Sequence, residues 1–196
     1  MNFSEKISNK LTEVITNELD FNEDKREIIA YAIETALLFL LGSFLIILLG
    51  YAFNALLPTV FAAIIGGLLR RVSGGAHFNT PRKCLIFGSI IYSFIGVSAK
   101  KLVDYDFTNK YILIFILLVS LFIVAFLAPV DSVAKPIHSS SLKVKLKTSA
   151  IVLVTVSIVF VSLTHNTLLS VSAVLGVVYQ SLTLLPIFNK KGGDRV

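Results

Sequence analysis

Apolar residues occur along the chain in six long runs, separated by polar and mostly basic segments. The runs cover about 28–52, 55–69, 85–99, 111–128, 149–163 and 167–187. Continuous apolar runs of about 20 residues are typical of helices that cross a membrane. The pattern therefore predicts an all-α, polytopic integral membrane protein with about six transmembrane or re-entrant helices.

Two of these runs, 55–69 and 85–99, are shorter than a full crossing requires. A helix of this length extends about 22 Å, whereas the hydrocarbon core is about 30 Å thick. The two segments either thin the bilayer locally or enter it as a re-entrant pair. We expect six crossings, and in either arrangement the loop between the two segments can lie below the head-group surface.

The first 27 residues are polar, but their apolar side chains recur at helical spacing. One face collects Phe3, Ile7, Leu11, Val14, Ile15 and Leu19. This spacing predicts an amphipathic helix on the membrane surface, with a solvated tail as the alternative. The chain is thereby divided into an N-terminal interfacial helix (1–27), a membrane domain (28–188) and a tail (189–196).

Positive charge is concentrated in alternate segments between the runs. The chain has 196 residues and a formal net charge of +6, although only 15% of its residues are charged. With a cytoplasmic N-terminus, fifteen of the 18 lysine and arginine residues fall on the cytoplasmic side. The positive-inside rule then predicts a multi-pass protein of the cell membrane, with both termini and the 70–84 loop in the cytoplasm.

The composition also narrows the class of partner and cofactor. The positive charge suits anionic lipid head groups, and because it is interleaved with apolar runs, nucleic-acid binding is not expected. One cysteine and three scattered histidines are too few for a dedicated metal site, and no cofactor is expected. The segment 128–147 combines prolines, serines and alternating lysines, which predicts a loop that contacts acidic lipid or, secondarily, docks a substrate.

The polar loop between the second and third runs reads LLRRVSGGAHFNTPRKCLIF (68–87) and holds the single cysteine, Cys84. A threonine followed by Pro81 is typical of a helix start, which places Cys84 in about the first turn of the next helix. Arg82 and Lys83 lie directly beside it. Because a helix N-terminus and neighbouring cations both stabilise a thiolate, this thiol is a candidate nucleophile.

His77 is the candidate general base for that thiol. In one continuous helix His77 and Cys84 would lie about 10 Å apart, too far for a hydrogen bond. The proline break, together with Gly74 and Gly75, permits a turn that returns the imidazole to the thiol. The same glycines are candidate oxyanion donors, with a simple hinge as the alternative. On residue types alone, an inert or palmitoylated cysteine and a solvated histidine are the competing interpretations.

The segment RRVSGGAHFNTPRKCLIFGS (70–89) resembles the signature region of the accessory gene regulator protein B (AgrB-like) family. In that family a pattern R-x-x-S-G-G-x-H, followed after six further positions by a cysteine, carries the active site. Supporting similarities are YAIE (31–34), APVD (128–131) and KP (135–136). Chain length, basic loops and six apolar runs fit the family across the whole chain.

The family consists of integral-membrane cysteine endopeptidases of Gram-positive quorum-sensing systems, so the resemblance implies that 28–188 is a peptidase domain. It implies Cys84 as the nucleophile and His77 as its base. The implied substrate is an AgrD-like precursor peptide with an amphipathic N-terminal helix, a short core and an acidic tail. Cleavage gives a thioester on Cys84, which a core thiol or hydroxyl attacks to release a cyclic thiolactone or lactone autoinducing peptide.

The family pattern also implies functional roles for Arg70 and Gly75, whereas the group that orients His77 is left open. Candidates for that orienting group are Ser73, Asn79 and Glu34. A cluster of cations could attract the acidic tail of the precursor; it comprises Arg70, Arg71, Arg82 and Lys83. For Glu34, a carboxylate early in the first run, the leading expectation is a structural ion pair with Arg70 or Arg71.

Two other classes of function compete with the peptidase. A small membrane transporter or channel with no nucleophile would explain Glu34, the short runs and the basic loops, and it predicts a dispensable cysteine. A lipid-interacting scaffold would explain the interfacial helix and the positive charge. The signature pattern favours the enzyme. Because short spans favour association with neighbours, a homodimer is a further expectation.

Overall fold

The computed structural model describes residues 13, 23–76, 80–106, 108–130 and 139–189, and only the backbone of Pro81 and Arg82. These ranges form six α-helices and one short 3-10 turn. In chain order they are α1 (Glu23–Ala52), α2 (Leu56–Ser73), α3 (Pro81–Asp104), α4 (Lys110–Leu127), α5 (Ser140–Leu163), α6 (Thr167–Leu182) and the 3-10 turn Pro186–Phe188. Helices α1 to α5 are long and apolar enough to cross a membrane, and α6 is a shorter apolar helix. The predicted all-α membrane architecture is confirmed.

Helices α2 and α3 are longer than their apolar runs. They contain 18 and 24 residues, which correspond to about 27 and 36 Å of helix. Helix α2 continues through Arg70 and Arg71, and α3 begins at Pro81 before the apolar run starts. The prediction of two short segments is therefore wrong, because hydropathy marks where a helix stops being apolar, not where its hydrogen bonds stop. A re-entrant pair is not required by the lengths of α2 and α3.

Two further boundaries differ from the predictions. The segment 128–147 is not a loop throughout, because α5 already begins at Ser140 and contains the alternating lysines. The hydroxyl of Ser139 caps this helix by accepting a hydrogen bond from the Leu142 N–H at 3.4 Å. Helix α1 begins at Glu23, inside the segment assigned to the interfacial helix. Apart from Glu13 and this start of α1, the predicted interfacial helix lies outside the described residues, as does the tail beyond Asn189.

Helices α2 and α6 form the centre of the bundle. Helix α2 packs against α1, α3, α5 and α6, while α6 packs against α2, α3, α4 and α5. Their backbones approach closely at small residues: a Cβ atom added to Gly176 would lie 2.7 Å from the carbonyl oxygen of Ala62. Small residues at such crossings are the usual means of close packing between membrane helices. This contact fixes the end of α6 beside the end of α2.

Candidate active site

Two glycines in the left-handed region turn the chain between α2 and α3. Gly74 has φ +69° and Gly75 has φ +127°, so both adopt a conformation that glycine permits and other residues disfavour. A Cβ atom on Gly74 would collide with the carbonyl oxygen of Val130, and one on Gly75 would lie 2.6 Å from Thr183 Oγ1. Both positions therefore need glycine for conformation and for space.

This turn is held by segments that are distant in sequence. The N–H of Val130, just after α4, donates to the Ser73 carbonyl at 2.9 Å, and Gly74 forms an isolated parallel bridge with Val130. From the end of α6, Gln180 Nε2 donates to Ser73 Oγ at 3.0 Å and to the Gly74 carbonyl at 2.7 Å. The Ala76 N–H donates to the Thr183 carbonyl at 3.1 Å. The turn is thus clamped between the end of α4 and the end of α6.

Cys84 lies in the first turn of α3, as predicted. The helix begins at Pro81, and the Cys84 N–H donates to the Thr80 carbonyl at 3.3 Å. Thr80 occupies the N-cap position, but its side chain makes no capping hydrogen bond. The thiol is half-buried. Its position in the first turn agrees with the helix start predicted from Thr80 and Pro81.

Arg70 connects this thiol to the glycine turn. Its guanidinium nitrogen Nη2 lies 3.6 Å from Cys84 Sγ and also donates to the carbonyl oxygen of Ala76. Arg70 belongs to the last turn of α2, so one side chain joins the end of α2, the turn and the start of α3. Ala76 directly precedes His77 in the chain.

Two tyrosines pack against each other on the membrane side of Cys84. The rings of Tyr92 on α3 and Tyr179 on α6 meet edge to face, with centroids 5.5 Å apart. Tyr92 follows Cys84 by eight residues on α3, about 12 Å along the helix axis, and Tyr179 directly precedes Gln180. Sequence analysis missed this pair, because the two residues lie in separate apolar runs and neither run marks the tyrosine as polar.

The remaining predicted site residues are distributed differently. His77 and Asn79 lie outside the described residues, and so does the side chain of Arg82. Ser73 is fully buried within the clamp, whereas Arg71 and Lys83 are exposed. The N–H of Gly74 donates to the Arg70 carbonyl at 3.1 Å, so it is not available as an oxyanion donor.

Glu34 does not meet Arg70 or Arg71 among the described residues. It is half-buried on α1, eight positions before Gly42, a distance of about 12 Å along the helix. Gly42 itself packs against Leu85, the neighbour of Cys84. Glu34 thus lies closer to the N-terminus of α1 than the part of α1 that is level with the thiol. Arg70 contacts Cys84 and Ala76 instead.

Sequence analysis also missed Gln180 and Thr183. Gln180 is completely buried. A signal was present, because this amide interrupts the apolar run 167–187, and polar side chains inside membrane runs usually serve a specific contact. What the run could not indicate was that its partner is the α2–α3 turn, more than 100 residues earlier in the chain.

Two other features of the described residues bear on the chemistry. None of their His, Cys, Asp and Glu side chains group in threes that could hold a metal ion.

A cavity of about 420 Å³ lies between α3, α4 and α6, and its lining includes Leu102, Asp106, Asn109 and Ile116. These residues belong to the end of α3 and the start of α4, so the cavity is at the opposite end of the bundle from Cys84.

Comparison with known proteins gives one consistent result. Residues 8–184 match the family model described as Accessory gene regulator B. The chain is 30% identical over 201 residues to a "Putative AgrB-like protein" of Clostridium perfringens (strain SM101 / Type A), covering 94% of this chain and 92% of the relative. It is 29% identical over 202 residues, with the same coverage, to "Putative AgrB-like protein 2" of Clostridium perfringens (strain 13 / Type A). No solved structure matches significantly.

Proposed function

The chain belongs to the accessory gene regulator B family, and we propose that it is a membrane cysteine endopeptidase that processes a quorum-sensing precursor peptide. The proposed substrate is an AgrD-like peptide, and the proposed product is a cyclic thiolactone or lactone formed through a thioester on Cys84. The proposed active site faces the cytoplasm.

The observation that carries this proposal is the position of Arg70. One nitrogen of its guanidinium contacts both the Cys84 thiol and the carbonyl oxygen of Ala76. Ala76 directly precedes His77 in the sequence, so the guanidinium ties the residue before the proposed base to the proposed nucleophile. This connection supports a thiol–imidazole pair, because a nucleophile and its base must lie within hydrogen-bonding distance. The guanidinium nitrogen Nη2 also places positive charge 3.6 Å from the sulfur that the proposed reaction uses.

The proposed reaction has two steps on one sulfur atom. In the first, Sγ bonds to the carbonyl carbon between core and tail, the C–N bond breaks, and the imidazolium of His77 gives its proton to the departing amine. In the second, a thiol or hydroxyl of the core loses its proton to His77 and bonds to the same carbon. The thioester bond breaks, Cys84 regains its thiolate, and the cyclic product is released.

Burial of the site supports cyclisation over hydrolysis. The thiol is half-buried, and the turn beside it is closed by Ser73 and Gln180, both completely buried. A thioester formed there is shielded from water, so a nucleophile within the bound peptide has the advantage. The N–H of Gly75 is the proposed donor to the oxyanion, since the N–H of Gly74 is already paired.

The charges at this end of the bundle support an acidic, membrane-associated substrate. Arg71 and Lys83 are exposed on either side of the turn and can attract an acidic tail. A precursor with an amphipathic helix would be held at the same interface, which raises its local concentration. These features concern recognition, and the chemistry itself rests on Cys84 and His77.

The test is co-expression of the full chain with the precursor peptide encoded beside it, followed by mass spectrometry of the peptide products. Wild-type protein should yield the cyclic core and the released tail. Cys84→Ala and His77→Ala should abolish both products, and Cys84→Ser should not accumulate a thioester adduct. A precursor that lacks the core thiol cannot complete the second step. Its core should therefore remain bound to Cys84 as a thioester.

The matched control is His165→Ala, because His165 lies between α5 and α6 at the opposite end of the bundle. This variant should process the precursor like wild type. Cleavage by both the Cys84→Ala and the His77→Ala variants would contradict the proposal and leave the transporter as the better explanation. Linear product in place of cyclic product would contradict only the cyclisation step.

A further inference from the structure

Gln180 lies at the site end, outside the signature pattern, and has no chemical role in the proposed reaction. It lies in the last turn of α6 and is completely buried. Its Nε2 donates to Ser73 Oγ at 3.0 Å and to the Gly74 carbonyl at 2.7 Å. Both partners belong to the turn that leads towards His77.

The orientation of this amide is fixed by its partners. The Gly74 carbonyl can only accept a hydrogen bond, so the nitrogen of the amide, not its oxygen, must face it. The oxygen Oε1 then points elsewhere, and it is buried without a hydrogen-bond partner among the described residues. Only the donor half of the side chain is used within the described part of the fold.

This asymmetry argues against a purely structural role. A buried polar atom without a partner lowers stability, and an apolar side chain of similar volume would avoid that loss. The neighbouring buried serine, Ser181, shows the usual arrangement, since its hydroxyl donates to the Val177 carbonyl of its own helix at 2.8 Å. Gln180 instead directs its donor across to another segment, onto a backbone carbonyl of the turn.

We propose that Gln180 is a positioning residue for the reaction at Cys84, acting through the Ser73–Gly74 turn. The proposal rests on the proposed peptidase function. The turn carries the Ala76 carbonyl, and this carbonyl shares the Arg70 guanidinium with Cys84 Sγ. A displaced turn therefore moves the Ala76 carbonyl and takes the guanidinium away from the sulfur. Gln180 sets the geometry of the reacting groups without touching the substrate.

The experiment compares Gln180→Leu, Gln180→Met and the control Ser181→Ala in full-length protein reconstituted into vesicles, with synthetic precursor. Gln180→Leu and Gln180→Met both lose the donor, and a misplaced reacting group costs about 100-fold in rate. We expect kcat to fall by about this factor with little change in KM, whereas Ser181→Ala keeps wild-type values. A merely structural role would lower the yield of folded protein but not kcat per folded molecule.

A second measurement does not depend on the precursor. The rate at which iodoacetamide alkylates Cys84 at neutral pH should fall about 10-fold in both Gln180 variants, because the displaced turn takes the Arg70 guanidinium away from the sulfur. Ser181→Ala should react like wild type. Should Gln180→Leu not accumulate, Gln180→Met carries the test, since methionine keeps the unbranched shape and approximate volume of glutamine but has no hydrogen-bond donor. The smaller change Ser73→Ala removes one of the two acceptors and should give an intermediate rate.

The two hypotheses can fail separately. If wild-type protein does not cleave the precursor, the proposed function is wrong, and the alkylation rates still test the role of Gln180. If the Gln180 variants cleave and alkylate at wild-type rates, the positioning role is wrong while the peptidase stands. A reduced kcat in Ser181→Ala equal to that in Gln180→Leu would also overturn the inference, because the effect would then reflect packing of α6 alone.

Discussion

The two ends of the helical bundle are built in different ways. At the end that carries Cys84, the α2–α3 turn is bound by the backbone after α4 and by the end of α6. At the opposite end, the turns are closed mainly by their own residues. The Asn54 N–H donates to the Tyr51 carbonyl at 2.9 Å, and the Asp106 N–H donates to the Val103 carbonyl at 3.0 Å.

The contacts between segments at the opposite end are also of a different kind. They come from exposed lysines: Lys100 Nζ donates to the Asn54 carbonyl at 3.2 Å, and Lys110 Nζ donates to the Ser162 carbonyl. Exposed side-chain contacts of this type contribute little to the free energy of folding, because the lysine side chain is hydrated and mobile when the contact is absent. One end of the protein thus has a preorganised turn that depends on three helices, and the other has independent turns.

The largest effect is expected from Gly74→Ala, which attacks the preorganised turn directly. The added Cβ would collide with the Val130 carbonyl, and alanine disfavours a φ of +69°. Strain at such a position costs about 1–3 kcal/mol, and displacement of the turn should lower product formation about 100-fold. Mass spectrometry of the cyclic peptide, normalised to folded protein, provides the measurement.

Gly67→Ala is the control for that substitution. Gly67 lies inside α2, and an added Cβ there meets nothing within 4 Å. Alanine in a helix interior is more favourable than glycine by about 0.5–1 kcal/mol, so this variant should be as stable as wild type or more so. Equal product from the Gly74 and Gly67 variants would show that the turn does not need its observed conformation.

A smaller effect is expected from Arg70→Lys. The lysine keeps the positive charge but not the planar fork, so its ammonium should not hold Cys84 and the Ala76 carbonyl together. We expect kcat/KM for tail release to fall about 10-fold, a change that corresponds to roughly 1.4 kcal/mol. Arg71→Lys, on the exposed neighbour, should change it by less than about twofold. The comparison fails if both lysine variants lose activity equally.

The smallest effect is expected at the opposite end. Lys110→Met removes an exposed contact to the Ser162 carbonyl and should change the free energy of unfolding by less than about 0.5 kcal/mol. Product formation should remain at the wild-type level. Denaturant unfolding in detergent and the peptide assay measure the two quantities. A loss of product in this variant would mean that the ends of the bundle are coupled and that the distinction between them does not hold.

How much of the fold the sequence predicts depends on the membrane that surrounds the helices. A membrane requires every spanning backbone to satisfy its own hydrogen bonds, so apolar runs become helices whatever they later pack against. The six helices could be predicted on this basis, and the start of α3 at Pro81 could be predicted from its Thr–Pro pair. The last turns of α2 and α3 and the first turn of α5 could not, because they include polar residues that continue the helix beyond the apolar run.

For the site, local signals predicted local features. Cys84 in the first turn of α3 and a turn at Gly74 and Gly75 follow from residues within one short segment. The contacts of Arg70 did not follow. An arginine between two apolar runs can mark topology, pair with Glu34 or serve the site, and only the packing of α2 against α3 selects among these roles. The pair Tyr92–Tyr179 required the same information.

By itself, the sequence determined the membrane class, the helical content and the place of the single thiol, because each depends on neighbouring residues and on hydropathy. Only the tertiary structure decided what holds that thiol. The clamp on the α2–α3 turn comes from Val130 and Gln180, which lie far along the chain and reach the turn only when α6 has packed against α2 and α4 has packed against α6. Hydrogen bonds between distant segments are set by how helices pack, and a linear pattern carries no record of that.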